Sequence, residues 1–320
     1  MKSKRHPVQF IALLMVVYFS VPDRIHGAGL PKHPRIVGDW WQVAGDPDLG
    51  DLTSPRQQPV DFGVWQAADG TWQLWSCIRE TKEPGKTRLF HRWEGAKLTD
   101  KDWKPMGIAL RADTRTGELE GGLQAPFVFR AGARCEMFYG GWNDICSAES
   151  ADGKTFERKL NAQGKATLFG AKTGNTRDPM VIQIGERWHC YYTAHPENKG
   201  AVYCRTSVDL RAWSEARLVA KGGEAGEGPY SAECPFVIEL EPGQFYLFRN
   251  QVYGRNAKCR VYFSQDPFDF GVDHDEEHLV CSLPYAAPEI IKSQGHYYLA
   301  ALLPSLKGIQ IARLEWVTMP

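Results

Sequence analysis

Apolar and polar residues alternate in short runs along most of the chain, and glycine or proline separates the runs. The clearest runs follow a glycine: Trp72-Gln73-Leu74-Trp75 after Gly70, Phe245-Tyr246-Leu247-Phe248 after Gly243, and Tyr297-Tyr298-Leu299 after Gly295. Longer versions are Cys135-Glu136-Met137-Phe138-Tyr139 after Gly132 and Trp188-His189-Cys190-Tyr191-Tyr192 after Gly185. Alternation over four to eight residues between turn signals predicts half-buried strands. No window sustains a 3.6-residue period with helix caps, so long amphipathic helices are not expected.

These phrases form a repeat. The five glycines are spaced by 62, 53, 58 and 52 residues. Ahead of four of them stands a short apolar strand that follows proline: Pro126-Phe127-Val128, Pro179-Met180-Val181, Pro235-Phe236-Val237 and Pro288-Glu289-Ile290. Proline at the first residue of a strand removes no ladder hydrogen bond. Behind the phrase comes a third strand, then a polar turn with an aromatic, as in Ser150-Ala151-Asp152-Gly153-Lys154-Thr155-Phe156 and Ser207-Val208-Asp209-Leu210-Arg211-Ala212-Trp213. The prediction is therefore all-β: a five-bladed β-propeller of four-stranded antiparallel blades around a central channel. Five blades of about 56 residues fill the chain from residue 29 to 320 as a single domain, with Ile36–Val43 as the closing strand at the seam. A β-sandwich, or a propeller of the WD or kelch type, fits less well, because the period is longer and Trp-Asp pairs are missing.

The first residues read differently. Lys2, Lys4 and Arg5 precede an apolar run from Phe10 to Val21, and Gly27, Ala28 and Gly29 follow. That is the pattern of a secretory signal peptide over residues 1–28, the alternative being an uncleaved anchor. The expected location is secreted or periplasmic, with no membrane association after cleavage. Formal charge is zero across the chain, and removing the leader leaves 34 cationic against 37 anionic side chains. Such a balance argues against nucleic acid as a partner. Eight cysteines lie beyond the leader, and an exported protein is free to form disulfides. Their connectivity cannot be read, although Cys190 and Cys204 flank a hairpin loop that brings them near each other.

Acidic residues recur at matched blade positions. Asp61, Asp178 and Glu233 precede their turn glycines by 9, 7 and 10 residues, which puts three carboxylates at nearly one level of the channel mouth. Converging carboxylates repel one another, and burial raises their pKa values. A scaffold gains nothing from this, whereas glycoside hydrolysis requires it. One carboxylic acid protonates the leaving oxygen, and another carboxylate attacks carbon or activates water. A calcium site is a second reading, but no Asp-x-Asp loop supports it and no metal or other cofactor is expected.

With these residues the chain resembles the five-bladed propeller glycosidases of glycoside hydrolase families 32 and 43. Arg177-Asp178-Pro179 and Glu233-Cys234-Pro235 are similar to two motifs of family 32 and occur in successive blades in the family's order. The family's Asn-Asp-Pro-Asn-Gly motif is not present, and only Asp61 and Gly63 correspond to it. The C-terminal β-sandwich usual in family 32 has no counterpart, so a bare propeller is more similar to family 43. The resemblance implies that Asp61 is the nucleophile or general base, that Asp178 orients sugar and tunes pKa, and that Glu233 is the general acid. Carboxylates about 5–5.5 Å apart would mean retention, and ~6.5–9.5 Å inversion.

Sugar sites also use flat apolar platforms and hydrogen-bonding forks. Trp142 and Tyr230 are candidate platforms, and Arg177 is a candidate fork. Signature loops for serine hydrolases, phosphate binding and zinc proteases are missing. The expected function is a secreted glycosidase acting on an oligo- or polysaccharide, of the β-fructofuranoside or arabinoside/xyloside type. The alternative is a non-catalytic carbohydrate-binding propeller.

Overall fold

A computed structural model describes residues 30–170 and 175–318. The expected leader, residues 1–28, lies outside the described residues. Among those described, no helix is long and apolar enough to cross a membrane.

The strands fall into five antiparallel sheets arranged as propeller blades. A long N-terminal strand, β1 (Lys32–Gly45), precedes blade I, which contains β2 (Gln58–Gln66), β3 (Trp72–Arg79), β4 (Leu89–Gly95) and β5 (Lys104–Leu110). Blade II contains β6 (Gln124–Ala131), β7 (Arg134–Gly140), β8 (Asp144–Ser150), the short β9 (Glu157–Arg158) and β10 (Thr167–Gly170). In blade III are β11 (Thr176–Ile184), β12 (Arg187–Ala194), β13 (Ala201–Ser207) and β14 (Arg217–Ala220). Blade IV holds β15 (Glu233–Glu241), β16 (Gln244–Val252), β17 (Lys258–Ser264) and β18 (Leu279–Leu283). Blade V supplies β19 (Glu289–Ser293), β20 (His296–Leu302) and β21 (Gly308–Thr318), and its outermost strand is β1. The seam expected at Ile36–Val43 is thus a ladder from Lys32↔Thr318 to Gly45↔Gly308. Joining the two chain ends in one sheet closes the ring and removes a free edge between first and last blades.

One device joins neighbouring blades. In blades II to IV the connection between the third strand and the outermost strand drives an aromatic into the preceding blade. Phe156 meets Trp65 and Trp75 of blade I at 5.9 and 5.2 Å between ring centroids. Trp213 meets Phe138 and Phe169 of blade II at 5.6 and 5.4 Å. Phe268 and Phe270 reach His189 and Tyr191 of blade III. At the seam the tie is made by backbone instead: the Trp103 main-chain N–H donates to Val43 O on β1, while the indole N–H donates to Asp100 O within blade I. The polar turns that precede these aromatics are held by one carboxylate each. Asp152 Oδ1 accepts from Lys154 N and Thr155 N, and Asp209 Oδ1 accepts from Arg211 N and Ala212 N. The buried members, Phe156 and Phe270, each contribute roughly 1.5–3 kcal/mol by burial.

The cysteines behave as small core residues, and all eight are free thiols. The expected approach of Cys190 and Cys204 fails on register. Cys190 pairs with Arg205 and Tyr191 with Cys204, so the two thiols point to opposite faces of the blade.

The innermost strands β2, β6, β11, β15 and β19 neighbour one another in a closed ring around the axis. Gly63 on β2 permits the closest approach, since a Cβ there would stand 2.5 Å from Pro126 O on β6.

Candidate active site

Every blade carries the same backbone irregularity near the start of its innermost strand. Asp61, Ala125, Asp178, Cys234 and Ala287 have φ of 42°, 44°, 53°, 46° and 47°. In the first four blades the ladder register shifts across this residue: between Val60 and Phe62, Gln124 and Phe127, Arg177 and Met180, and Glu233 and Phe236. A bulge of this kind inserts one unpaired residue and re-aims its side chain. Left-handed backbone at a non-glycine residue costs on the order of 1 kcal/mol, and such strain gathers at functional sites. The following prolines, Pro126, Pro179 and Pro235, therefore sit inside their strands at the bulge rather than at the first residue as expected. There a missing N–H leaves no ladder partner unsatisfied.

The bulges correct the expected level of the acids. Asp61 and Asp178 share the left-handed position, but its occupant in blade IV is Cys234. Glu233 stands one residue earlier, at the position held by Arg177 in blade III and Gln124 in blade II. Successive residues of a strand point to different sides, so the two sets form two tiers. The lower tier, Asp61, Ala125, Asp178, Cys234 and Ala287, surrounds a cavity of about 30 Å³ on the axis. The upper tier opens into a cavity of about 640 Å³ at the channel mouth.

Arg177 links the tiers. Its Nη2 donates to Glu233 Oε1 at 2.5 Å, and its Nε lies 3.6 Å from Asp178 Oδ2. Nη1 donates to Asn175 Oδ1 at 2.8 Å and reaches His195 Nδ1 at 3.0 Å. A guanidinium only donates, so His195 Nδ1 is the acceptor and the ring proton sits on Nε2. Asn175 in turn donates to Gln124 Oε1 at 2.7 Å. In the lower tier Asp178 Oδ2 accepts from Cys234 N at 3.1 Å, and Tyr253 OH stands 3.4 Å from Asp61 Oδ1. Asp61, Asp178 and the Cys234 thiol have ligand atoms within 4.8 Å of one another. This group is a poor cradle for a hard cation, because burial pushes the Cys234 thiol far up and keeps it protonated. A second group of potential ligands, Asp269, His274 and His278, lies on the β17–β18 connection and does not line the mouth cavity.

Burial dominates the electrostatics. It pushes the Glu233 carboxyl up to about 7; Arg177 opposes the rise and Asp178 adds to it. Asp178 is likewise raised by burial, against Arg177 and with the help of Asp61. Burial also disfavours the Arg177 charge, yet Asp178 and Glu233 together hold its pKa above the ordinary value. His195 is lowered by burial and then by Arg177, so it stays neutral. The site thus holds carboxyls in different environments around one fixed cation, the condition for dividing acid and base roles between like groups.

The structure brings the expected site residues together in two layers. Arg177, Glu233, Trp142 and Tyr230 line the mouth cavity, Asp61 in the lower tier reaches both cavities, and Asp178 lies beneath the mouth against Arg177. Tyr230 is 64% exposed at the rim, with the His195 ring edge-on at 6.3 Å. Trp142 adopts φ 89° and is pinned by its carbonyl, which accepts from Thr176 N at 3.1 Å. Sequence reading missed Arg79, Arg88, Gln124, Asn175, His195 and Tyr253, all of which face this cavity. Gln124 had a usable signal, since it precedes Ala125-Pro126 as Glu233 precedes Cys234-Pro235.

No family model matches the chain, and no curated protein matches it. Solved structures do. A thermostable family-43 glycoside hydrolase superposes with TM-score 0.61 at 16% identity, over 84% of this chain and 92% of that one. An endo-arabinase from Bacteroides thetaiotaomicron gives 0.60 at 12%, over 85% and 99%. The family 32 β-fructofuranosidase of Bombyx mori gives 0.59 at 17%, over 86% of this chain and 62% of its own length. The chain has the five-bladed β-propeller fold. Identity this low establishes the fold alone, and the resemblance read from the motifs agrees with it at that level.

Proposed function

We propose that the protein is a glycoside hydrolase, exported to an extracellular or periplasmic space, that cleaves arabinosides, xylosides or β-fructofuranosides of an oligo- or polysaccharide. The observation that carries this reading is the environment of Glu233. Its carboxyl lines the cavity, is 7% exposed, and is raised by burial to about 7. A general acid works best when its pKa lies near the operating pH. Glu233 protonates the leaving oxygen. Asp61, on the other side of the axis in blade I, acts at the anomeric carbon. Asp178 sits below, where its charge adds to the elevation of Glu233 and holds Arg177 in place. The solved propellers above include an endo-arabinase and a β-fructofuranosidase, which supports arabinosides and β-fructofuranosides as candidate substrates.

The Arg177–Glu233 contact favours a second reading, a sugar-binding propeller without turnover, because a guanidinium at 2.5 Å stabilises the ionised acid. One assay separates them. Wild type and Glu233→Gln are compared on aryl arabinofuranosides, aryl xylosides and fructans. The expected result is turnover by wild type and a loss of about 10²–10⁴ in kcat/KM for the variant. Sugar binding without turnover by wild type on every substrate would overturn the enzyme reading.

A further inference from the structure

The blade I wall of the mouth cavity is cationic in a way that proton transfer between the carboxyls does not use. Arg79 and Arg88 both line the cavity. They stand opposite each other one step beyond Ile78↔Leu89, the last pair of the β3–β4 ladder. Like charges placed across adjacent strands are unfavourable by themselves. Neither guanidinium is hydrogen-bonded to a carboxylate that would relieve this. Arg79 Nε and Nη2 both donate to the neutral amide oxygen of Gln58, at 2.9 and 2.7 Å, and among the described residues no acid lies within 4.0 Å of it. Arg88 Nη1 is 3.9 Å from Asp61 Oδ2 and 3.8 Å from Cys77 Sγ.

A third cation joins them at the platform. Lys86 Nζ lies 4.7 Å from the centroid of the Trp142 ring, and the Arg88 guanidinium lies 5.4 Å from it. The backbone sets these positions. Lys86 N donates to Glu120 O and Arg88 N to Gly121 O, tying the β3–β4 loop to the segment that leads into blade II. Arg177, by contrast, is fully engaged by Glu233, Asp178 and Asn175. On the blade I side, among the described residues, Arg79 therefore has no carboxylate partner and Arg88 has only the long 3.9 Å ion pair with Asp61. Hydroxyls of a neutral sugar are met by amides such as Gln124 and Asn143, both in the lining. Guanidinium forks are the natural partners of carboxylate and sulfate oxygens, with bonds about twice as strong as neutral ones.

We propose that the sugar seated against Trp142 carries an anionic group, a uronate carboxylate or a sulfate ester, held by Arg79 and Arg88 with Lys86 at the rim. The inference rests on the reading of this cavity as a glycan site, and it names the class of glycan: an acidic one.

The test uses ligand pairs that share one glycan backbone and differ in whether the group it carries is charged. Trigalacturonate is compared with its methyl ester, and sulfated xylotriose with xylotriose, by titration calorimetry on the Glu233→Gln protein so that ligands stay intact. The charged member of at least one pair binds on the order of tenfold tighter. That preference shrinks between about 50 mM and about 300 mM salt. Arg79→Gln in the same background removes most of it, while Arg79→Lys retains part. Which pair responds identifies the source of the charge. Equal or tighter binding of the neutral member in both pairs, or no binding of any of the four, overturns the proposal. Failure of the hydrolase reading looks different: wild type turns over none of the aryl arabinofuranosides, aryl xylosides or fructans while the charge preference persists.

Discussion

Arg177 and Glu233 hold the same place in consecutive blades, one residue ahead of the left-handed residue of the innermost strand, and their side chains meet at 2.5 Å. The same position carries a cation in one blade and an acid in the next, so the repeat itself brings them together. Asp178 completes the group from the tier below, 3.6 Å from the same guanidinium. The charge state of Glu233 thus depends on a balance among burial, Arg177 and Asp178, and each partner can be removed singly.

Removal of Asp178 tests the balance in one direction. Glu233 works as an acid only while protonated, so hydrolysis falls as pH rises through about 7. The Asp178 charge adds to the elevation of Glu233. Asp178→Asn is expected to move the alkaline limb of kcat/KM to lower pH on an aryl glycoside. A limb that stays in place or moves upward would show that Asp178 does not set the acid.

Removal of Arg177 tests it in the other. Arg177→Met leaves two buried carboxyls without their cation, so the alkaline limb moves to higher pH. Near neutral pH the fold loses about 3–5 kcal/mol, the scale for breaking a buried pair. Both acids already have folded values above their unfolded ones. Their protonated forms favour the fold at pH below the ordinary carboxylate range, and that stability is lost as pH rises through the folded values. Urea unfolding should therefore show a smaller deficit for the variant at pH about 4.5 than at about 8. An equal deficit at both would contradict the assignment.

Glycine at position 63 is expected to be required by packing. A Cβ there would stand 2.5 Å from the carbonyl oxygen of Pro126, a backbone atom that no rotamer change can move aside. Gly63→Ala should cost about 1–3 kcal/mol, read as a lowered thermal midpoint. An unchanged midpoint would mean that β2 and β6 approach less closely at the axis.

The thiols provide a check on the core. All eight cysteines are free, and six are buried. The denatured protein, prepared without reductant, should titrate eight thiols per chain, and the native protein far fewer at the start of the reaction. Added reductant should leave the unfolding midpoint in place. A shortfall in the denatured count would reveal disulfides.

Much of the architecture was legible because a blade is a local object. Alternating strands, turn glycines and an aromatic after a polar turn all lie within about 56 residues, and period-two burial writes them directly into the chain. The residues Asp61, Asp178 and Glu233 were legible as a group for the same reason. Their tiers were not. Hairpins of different length separate bulge and turn glycine, nine residues for Asp61 and Cys234 but seven for Asp178, so counting back from the glycine placed Glu233 beside Asp178 rather than above it.

The repeat, the closing strand near Ile36–Val43 and the acids that face the axis all follow from side-chain alternation over neighbouring residues. Which acid meets which cation depends instead on how the blades pack around the axis. Tertiary structure also decided that Cys190 and Cys204 point to opposite faces, and that Arg79, Arg88, His195 and Tyr253 share a cavity with Glu233. Those side chains come from three blades. They meet only once β1 pairs with β21 and the ring is closed, a relation over nearly the whole chain that no local pattern contains.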